Sequence, residues 1–234
     1  MIKSLPAALI AFIPGFLWVW YFYKKDIHEP EPKFNILKVF LFGALTVFPA
    51  AAMERIIIMT YPNQQMPTDY LGILIFSIFV IGVVEEFWKY AAVRYSVYNT
   101  REFDEHPMDG LIYGVTAGLG FAALENFFYT MSYGYGTGLV RAVVTFLAHA
   151  SFSGIIGYNM GLAKMFPEKE RYFLFRGIAL ASLLHGIYDF LFLSRIMPLA
   201  GTIPILIFIV WQLFRRFQVA QAESQFKLRN KEEK

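Results

Sequence analysis

Apolar runs long enough to cross a membrane recur along this chain from end to end, with short polar loops between them. A helix needs about 20 mainly apolar residues to span the hydrocarbon core of a bilayer. Inside that core every backbone N–H and C=O must find its partner within the protein, which helices achieve locally. Composition agrees: 57% of the 234 residues are hydrophobic and 18% are aromatic, 25 of them Phe. An ordinary globular domain is about 45–50% apolar. The chain therefore reads as all-α, a polytopic transmembrane helical bundle with seven spans, forming a single transmembrane domain over residues 1–234. The expected spans are 5–23, 36–61, 70–95, 108–132, 138–165, 173–194 and 197–214, with a polar tail over 218–234 that frays or lies on the surface. The first run is too long for a cleaved leader, and its Lys24–Lys25 pair follows the apolar stretch instead of preceding it.

Lys and Arg mark one side of the bundle. The loops after the first, third and fifth spans hold Lys24, Lys25, Lys33, Arg101, Lys169 and Arg171, and the tail begins with Arg215 and Arg216. The opposite loops are poor in charge, with Arg141 and Arg195 as minor exceptions. By the positive-inside rule the N-terminus is outside and the C-terminus cytoplasmic. The net charge of +3 is small and spread over loops, so it reports topology and not nucleic-acid binding. With no cysteine in the chain, disulfides, thiolate metal sites and a cysteine nucleophile are excluded.

Polar groups within the spans narrow the function. A charged side chain at the centre of a membrane helix costs about 2.5–3.5 kcal/mol on insertion scales, so such groups face the bundle interior or a wet cavity. The third span carries Glu85, Glu86 and Lys89; the fourth Glu125 and Asn126; the fifth His149; the sixth His185 and Asp189. Lys89 lies three and four residues from the two glutamates and can pair with either along the helix, but one Lys does not neutralise both. Glu54–Arg55, near the end of the second span, reads as structural. Glu85 and Glu86 point about 100° apart on a helix, so one can face a site while the other supports it.

Four neighbouring helices thus bring carboxylate, amide and imidazole to similar depth. A buried carboxylate can act as general base toward water, and imidazole or amide donors can stabilise an oxyanion. His149, His185, Glu86 and Glu125 could instead hold one divalent metal, zinc by ligand type, so hydrolysis with or without a metal is open. The HExxH, GxSG and paired-Asp signatures of other intramembrane proteases are absent. A proton- or ion-coupled transporter is the alternative, since buried carboxylates and His also mark ion pathways; no internal repeat supports it.

These motifs carry a resemblance. EExxK at Glu85, Glu86 and Lys89, FxxxEN at Phe121, Glu125 and Asn126, the lone His149, and HxxxD at His185 and Asp189, in this order over residues 71–192, resemble the PrsW family of bacterial intramembrane proteases. That family is distantly similar to the CAAX prenyl endopeptidase and bacteriocin-immunity group. The resemblance implies a multi-pass protein of the bacterial cell membrane. It implies cleavage of a membrane-anchored substrate, an anti-sigma factor, on the extracytoplasmic side as a first step of regulated proteolysis. It implies a catalytic core over 70–194 with Glu85, Glu86, His149 and His185 catalytic, and Lys89, Glu125, Asn126 and Asp189 orienting substrate or stabilising the oxyanion. Tyr90 and Glu125 stand where the prenyl enzymes have Arg and His, so roles are not carried from those enzymes to Lys89 and Glu125.

Overall fold

A computed structural model describes residues 4–27, 30–103, 107–196 and 199–223. Among these, seven helices are long and apolar enough to cross a membrane. They are built from α1 (Ser4–Tyr23), α2 (Lys33–Leu45), α3 (Val47–Ile58), α4 (Tyr70–Phe76), α5 (Val83–Ser96), α6 (Pro107–Tyr133), α7 (Tyr135–Met165), α8 (Glu170–Leu193) and α9 (Ile203–Glu223).

The second and third spans are interrupted along their length. The second breaks between α2 and α3 at Thr46. Pro49 supplies the cause: it has no N–H, and its ring crowds the carbonyl four residues back, at Leu45. The Thr46 hydroxyl donates to the Gly43 carbonyl at 2.6 Å and closes the last turn of α2. The third span begins with α4, capped by the Asp69 carboxylate accepting from the Gly72 N–H at 2.8 Å. It then widens into a π-helical turn, Ser77–Gly82, before continuing as α5. π turns of this kind recur at functional sites.

The bundle is organised around α6 and α7, most of whose residues are buried. Close packing follows from small residues four apart. Gly110 and Gly114 lie against the Gly157 and Ser153 backbone, where a Cβ on Gly110 would overlap the Gly157 carbonyl and the reverse also holds. In lipid, helices associate by such close backbone approach and not by hydrophobic exclusion. On its other face α6 packs against α2 through Gly120 and Gly43. The π turn packs against α8, with Gly186 set on the Ile78 backbone.

The last span differs from expectation. It starts at Ile203 and runs to Glu223, not 197–214, so the start of the expected tail is helix. The reason is a buried inner stripe, Ile209, Leu213, Phe217 and Ala220, that continues past the apolar run. The Gln221 side chain also donates to the Lys25 carbonyl at 2.8 Å. Residues 224–234 of the expected tail lie outside the described residues.

Candidate active site

The third, fourth, fifth and sixth spans bring their polar side chains to one place. Lys89 is its hub. Its ammonium lies 3.0 Å from Glu85 Oε2 and 2.8 Å from Glu86 Oε1, and 2.7 Å from His149 Nδ1. It also sits 4.1 Å from the centre of the Phe121 ring, a cation–π contact. The pair that looked too acidic for a membrane helix is therefore shared between one ammonium and two imidazoles.

The two glutamates have different surroundings. Glu86 is fully buried and takes hydrogen bonds from Lys89, from the Ser153 hydroxyl at 3.3 Å and from His185 Nδ1 at 2.9 Å. Glu85 lines a cavity of about 580 Å³, as do Glu125, His149, His185 and Asp189. Glu86 and Lys89 are not part of its wall.

Hydrogen bonding orients both imidazoles. A carboxylate can only accept, so the proton of His185 sits on Nδ1 toward Glu86. That leaves Nε2 facing the cavity, 3.4 Å from Asp189 Oδ2 and 3.8 Å from Glu85 Oε2. His149 donates from Nε2 to Glu125 Oε2 at 3.1 Å, and its Nδ1 accepts from Lys89. Glu125 is in turn held by Arg141 at 2.7 Å, whose guanidinium stacks 3.7 Å above Tyr129. The His185 ring lies flat on Phe152, with centroids 4.8 Å apart.

The donor set suits a divalent cation. One ligand atom each from Glu85, His149 and His185 lie within 4.8 Å of one another. Two His and a carboxylate are a hydrolytic zinc set, and His185 Nδ1 and His149 Nε2 each rest on a carboxylate, as the non-ligating nitrogens of metal-bound imidazoles do; Lys89, which donates to His149 Nδ1, would have to yield that lone pair to an ion. The lone pair on His185 Nε2, facing two carboxylate oxygens, is favourable only with a proton or a cation between them. The expected set is Glu86, Glu125, His149 and His185; here Glu86 is turned to His185 Nδ1 and Glu125 to Arg141 and His149 Nε2, and Glu85 is the carboxylate grouped with the two imidazoles.

Other expected residues fall into place unevenly. Asn126 is buried but off the cavity, and its amide donates to the Gly138 carbonyl at 3.1 Å, tying α6 to the start of α7. Glu54, read as structural, lines the cavity from α3, and Arg141, read as a topological exception, lines it from α7. Their signal in the sequence was weak because charges close to a span end can reach the interface and need no site.

A family model described as "PrsW family intramembrane metalloprotease" matches residues 31–214. This chain belongs to that family. The match reaches further than the 71–192 expected, taking in the second span and most of the seventh. The chain is similar to Protease PrsW of Geobacillus kaustophilus, 37% identical over 186 residues covering 78% of this chain and 77% of the relative. It is similar to Protease PrsW of Bacillus subtilis, 31% identical over 210 residues, 89% and 93% of the two chains. Protease PrsW of Clostridioides difficile is 28% identical over 211 residues, 88% and 87% of the two chains. No solved structure matches. The protein is an intramembrane protease of the bacterial membrane, multi-pass, and the transporter alternative finds no support in these matches.

Proposed function

We propose that this protease makes the first cut in a membrane-anchored, single-span regulatory protein of the anti-sigma-factor type, on the extracytoplasmic side. The observation that carries the reading is the convergence of Glu85, His149 and His185 on the wall of one cavity inside the bundle. The cavity runs from this group, near mid-depth, toward the helix ends at Ile58, Tyr70, Tyr133 and Leu193, which is the charge-poor side of the chain.

Of the two glutamates, Glu85 meets the water, because it alone lines the cavity. Glu86 holds His185 in one tautomer, and Glu125 with Arg141 does the same for His149. Lys89 offsets the charge of the carboxylates without entering the cavity. Asp189, on the cavity wall beside His185 Nε2, is placed to take a proton from water and return it to the departing amine. A zinc-class ion held by Glu85, His149 and His185 would polarise the scissile carbonyl and acidify bound water.

Purified protein, reconstituted with a single-span substrate, tests this. Glu85→Gln and His185→Ala are expected to lower cleavage by at least about 100-fold while the protein still inserts. A chelator is expected to stop cleavage and zinc to restore it. Full cleavage by both variants would overturn the site, and chelator-insensitive cleavage by metal-free protein would overturn the metal while leaving Asp189 as base and Glu85 beside the attacking water.

A further inference from the structure

The charge-rich end of the bundle holds two arginines that the proteolytic site does not use, Arg176 in α8 and Arg216 in α9. Helices α8 and α9 each pack on α7 but scarcely on each other, which leaves a cleft floored by α7. Arg216 is half-buried and Arg176 exposed. A long basic side chain near a span end usually snorkels outward to water. Arg216 turns the other way: its guanidinium donates to the Gln212 carbonyl at 3.2 Å, one turn deeper in the membrane. The titratable groups that act on it from neighbouring helices are Tyr158 of α7 and Arg176 of α8.

Two like charges at one cleft repel, and a charge inside a span calls for a partner. Among the described residues the arginines that pair with a carboxylate are Arg94 and Arg141, and neither Arg176 nor Arg216 does so. The Gln212 carbonyl takes up one of the five N–H donors of Arg216, so most of its fork is left for an anion. Arginine forks suit phosphate oxygens in geometry as well as charge.

Depth decides between a soluble anion and a lipid. Tyr158, Arg176 and Arg216 each lie six or seven residues, about 10 Å, inside the charge-rich end of their helix. Helix α7, with 31 residues, is about 46 Å long against a hydrocarbon core of about 30 Å. The three residues therefore sit close to the boundary between core and headgroups, where a phospholipid carries its phosphate. A soluble anion must leave water to reach them, whereas a lipid brings its phosphate there with its acyl chains along the cleft. Two positive charges favour a headgroup with net negative charge over one that carries its own cation. By the positive-inside rule this end is cytoplasmic, the side on which basic pockets between helices take anionic headgroups.

We propose that the cleft between α8 and α9 binds one anionic phospholipid, its phosphate held by Arg176 and Arg216. The lipid bridges α8, which carries His185 and Asp189, to the last span.

The test is lipid retention, which does not depend on proteolysis. Full-length protein in neutral detergent is given equal amounts of phosphatidylglycerol and phosphatidylcholine with the same acyl chains, and bound lipid is counted by native mass spectrometry. One phosphatidylglycerol should be retained, about tenfold in preference to phosphatidylcholine. Arg176→Gln and Arg216→Gln should each lower that preference about fivefold. Arg215→Gln removes the same charge one residue away, from a side chain that lies over Trp211, and should leave the preference intact. Arg216→Gln relieves a like-charge contact, so its unfolding temperature without lipid should hold or rise while retention falls. Arg176 is exposed, so Arg176→Gln tests the site independently of any folding defect at Arg216. Equal retention of the two lipids, or equal losses from Arg215→Gln and the other two variants, would overturn the site. Displacement of phosphatidylglycerol by millimolar inorganic phosphate would overturn the lipid as its occupant.

Discussion

At the scale of residues, Lys89 is the most constrained side chain. It is 1% exposed and touches two carboxylates and an imidazole. Removing one partner of a buried ion pair costs about 3–5 kcal/mol, because the other charge stays buried and unpaired. Lys89→Met should therefore lower the unfolding temperature of metal-free protein sharply. The ammonium also draws on His149 Nδ1 and Glu85, two donors of the candidate metal set, so zinc should stabilise the variant more than it stabilises the parent. Thermal unfolding with and without zinc reads both effects, and an equal zinc shift in the two proteins would contradict the competition. Much of this site was legible in the sequence because a charge in mid-span has no innocent explanation. The split of roles between Glu85 and Glu86 was not, since adjacency gives an angle between two side chains and not the direction of either. Glu54 and Arg141 escaped for the opposite reason: near a span end a charge is cheap.

Another residue carries a pH signature outside the spans. Glu31 is 5% exposed, and burial, with Asp109 and Asp26 nearby, pushes its carboxyl up to about 9 from 4.5, against the pull of the hydroxyl that Tyr113 donates to it. A carboxyl that keeps its proton to about pH 9 when folded, but only to 4.5 when unfolded, makes the folded state the better proton binder between those values. This contribution to stability is full below pH 4.5 and is lost as pH rises through about 9. Glu31→Gln should flatten that part of the profile, measured as unfolding temperature against pH. An unchanged slope would show that Glu31 titrates normally.

At the scale of elements, the α6–α7 contact sets the frame on which His149 and Glu125 are hung. Gly157→Val places a side chain into the Gly110 carbonyl, whereas Gly136 has nothing within 4 Å of an added Cβ. Overpacking a well-filled site costs about 1–3 kcal/mol and more when backbone must move. Unfolding in detergent should show a large loss for Gly157→Val and none for Gly136→Ala. The spans themselves could be read from apolar length, which a bilayer imposes directly. The breaks within them could not. Pro49 and Gly82 were visible as residues, but membrane helices tolerate both without breaking when neighbours supply partners. The seventh span was misplaced for a related reason: its inner stripe is sparse, and average hydropathy weighs the lipid-facing residues as heavily as the packed ones.

For the whole molecule, sidedness decides what the enzyme can cut. The lining of the cavity extends toward the ends of α3, α6, α7 and α8 that adjoin the charge-poor loops. The chain has no cysteine, so single cysteines can be introduced without background. A cysteine at Phe128 or Val140, both on the cavity wall, should react with an impermeant maleimide from outside intact cells, and one at Arg101 only after lysis. The reverse pattern would place cleavage on the cytoplasmic side. One feature of the third span bears on how such an enzyme can change over time. The π turn at Ser77–Gly82 holds one more residue than a regular turn would, and it lies just upstream of Glu85. Loss of a single codon there would restore a plain helix, and because the wide turn spreads its extra residue over about the same rotation, α5 would keep its facing relative to α4 while the wide turn itself is lost. Phe79, 66% exposed on that turn, could be exchanged for another apolar residue at little cost, and deleting it would narrow the turn while leaving Glu85 facing the cavity. Along this stretch the chain can shed one residue and keep the catalytic helix facing the same way, so what such a deletion would remove is the wide turn alone.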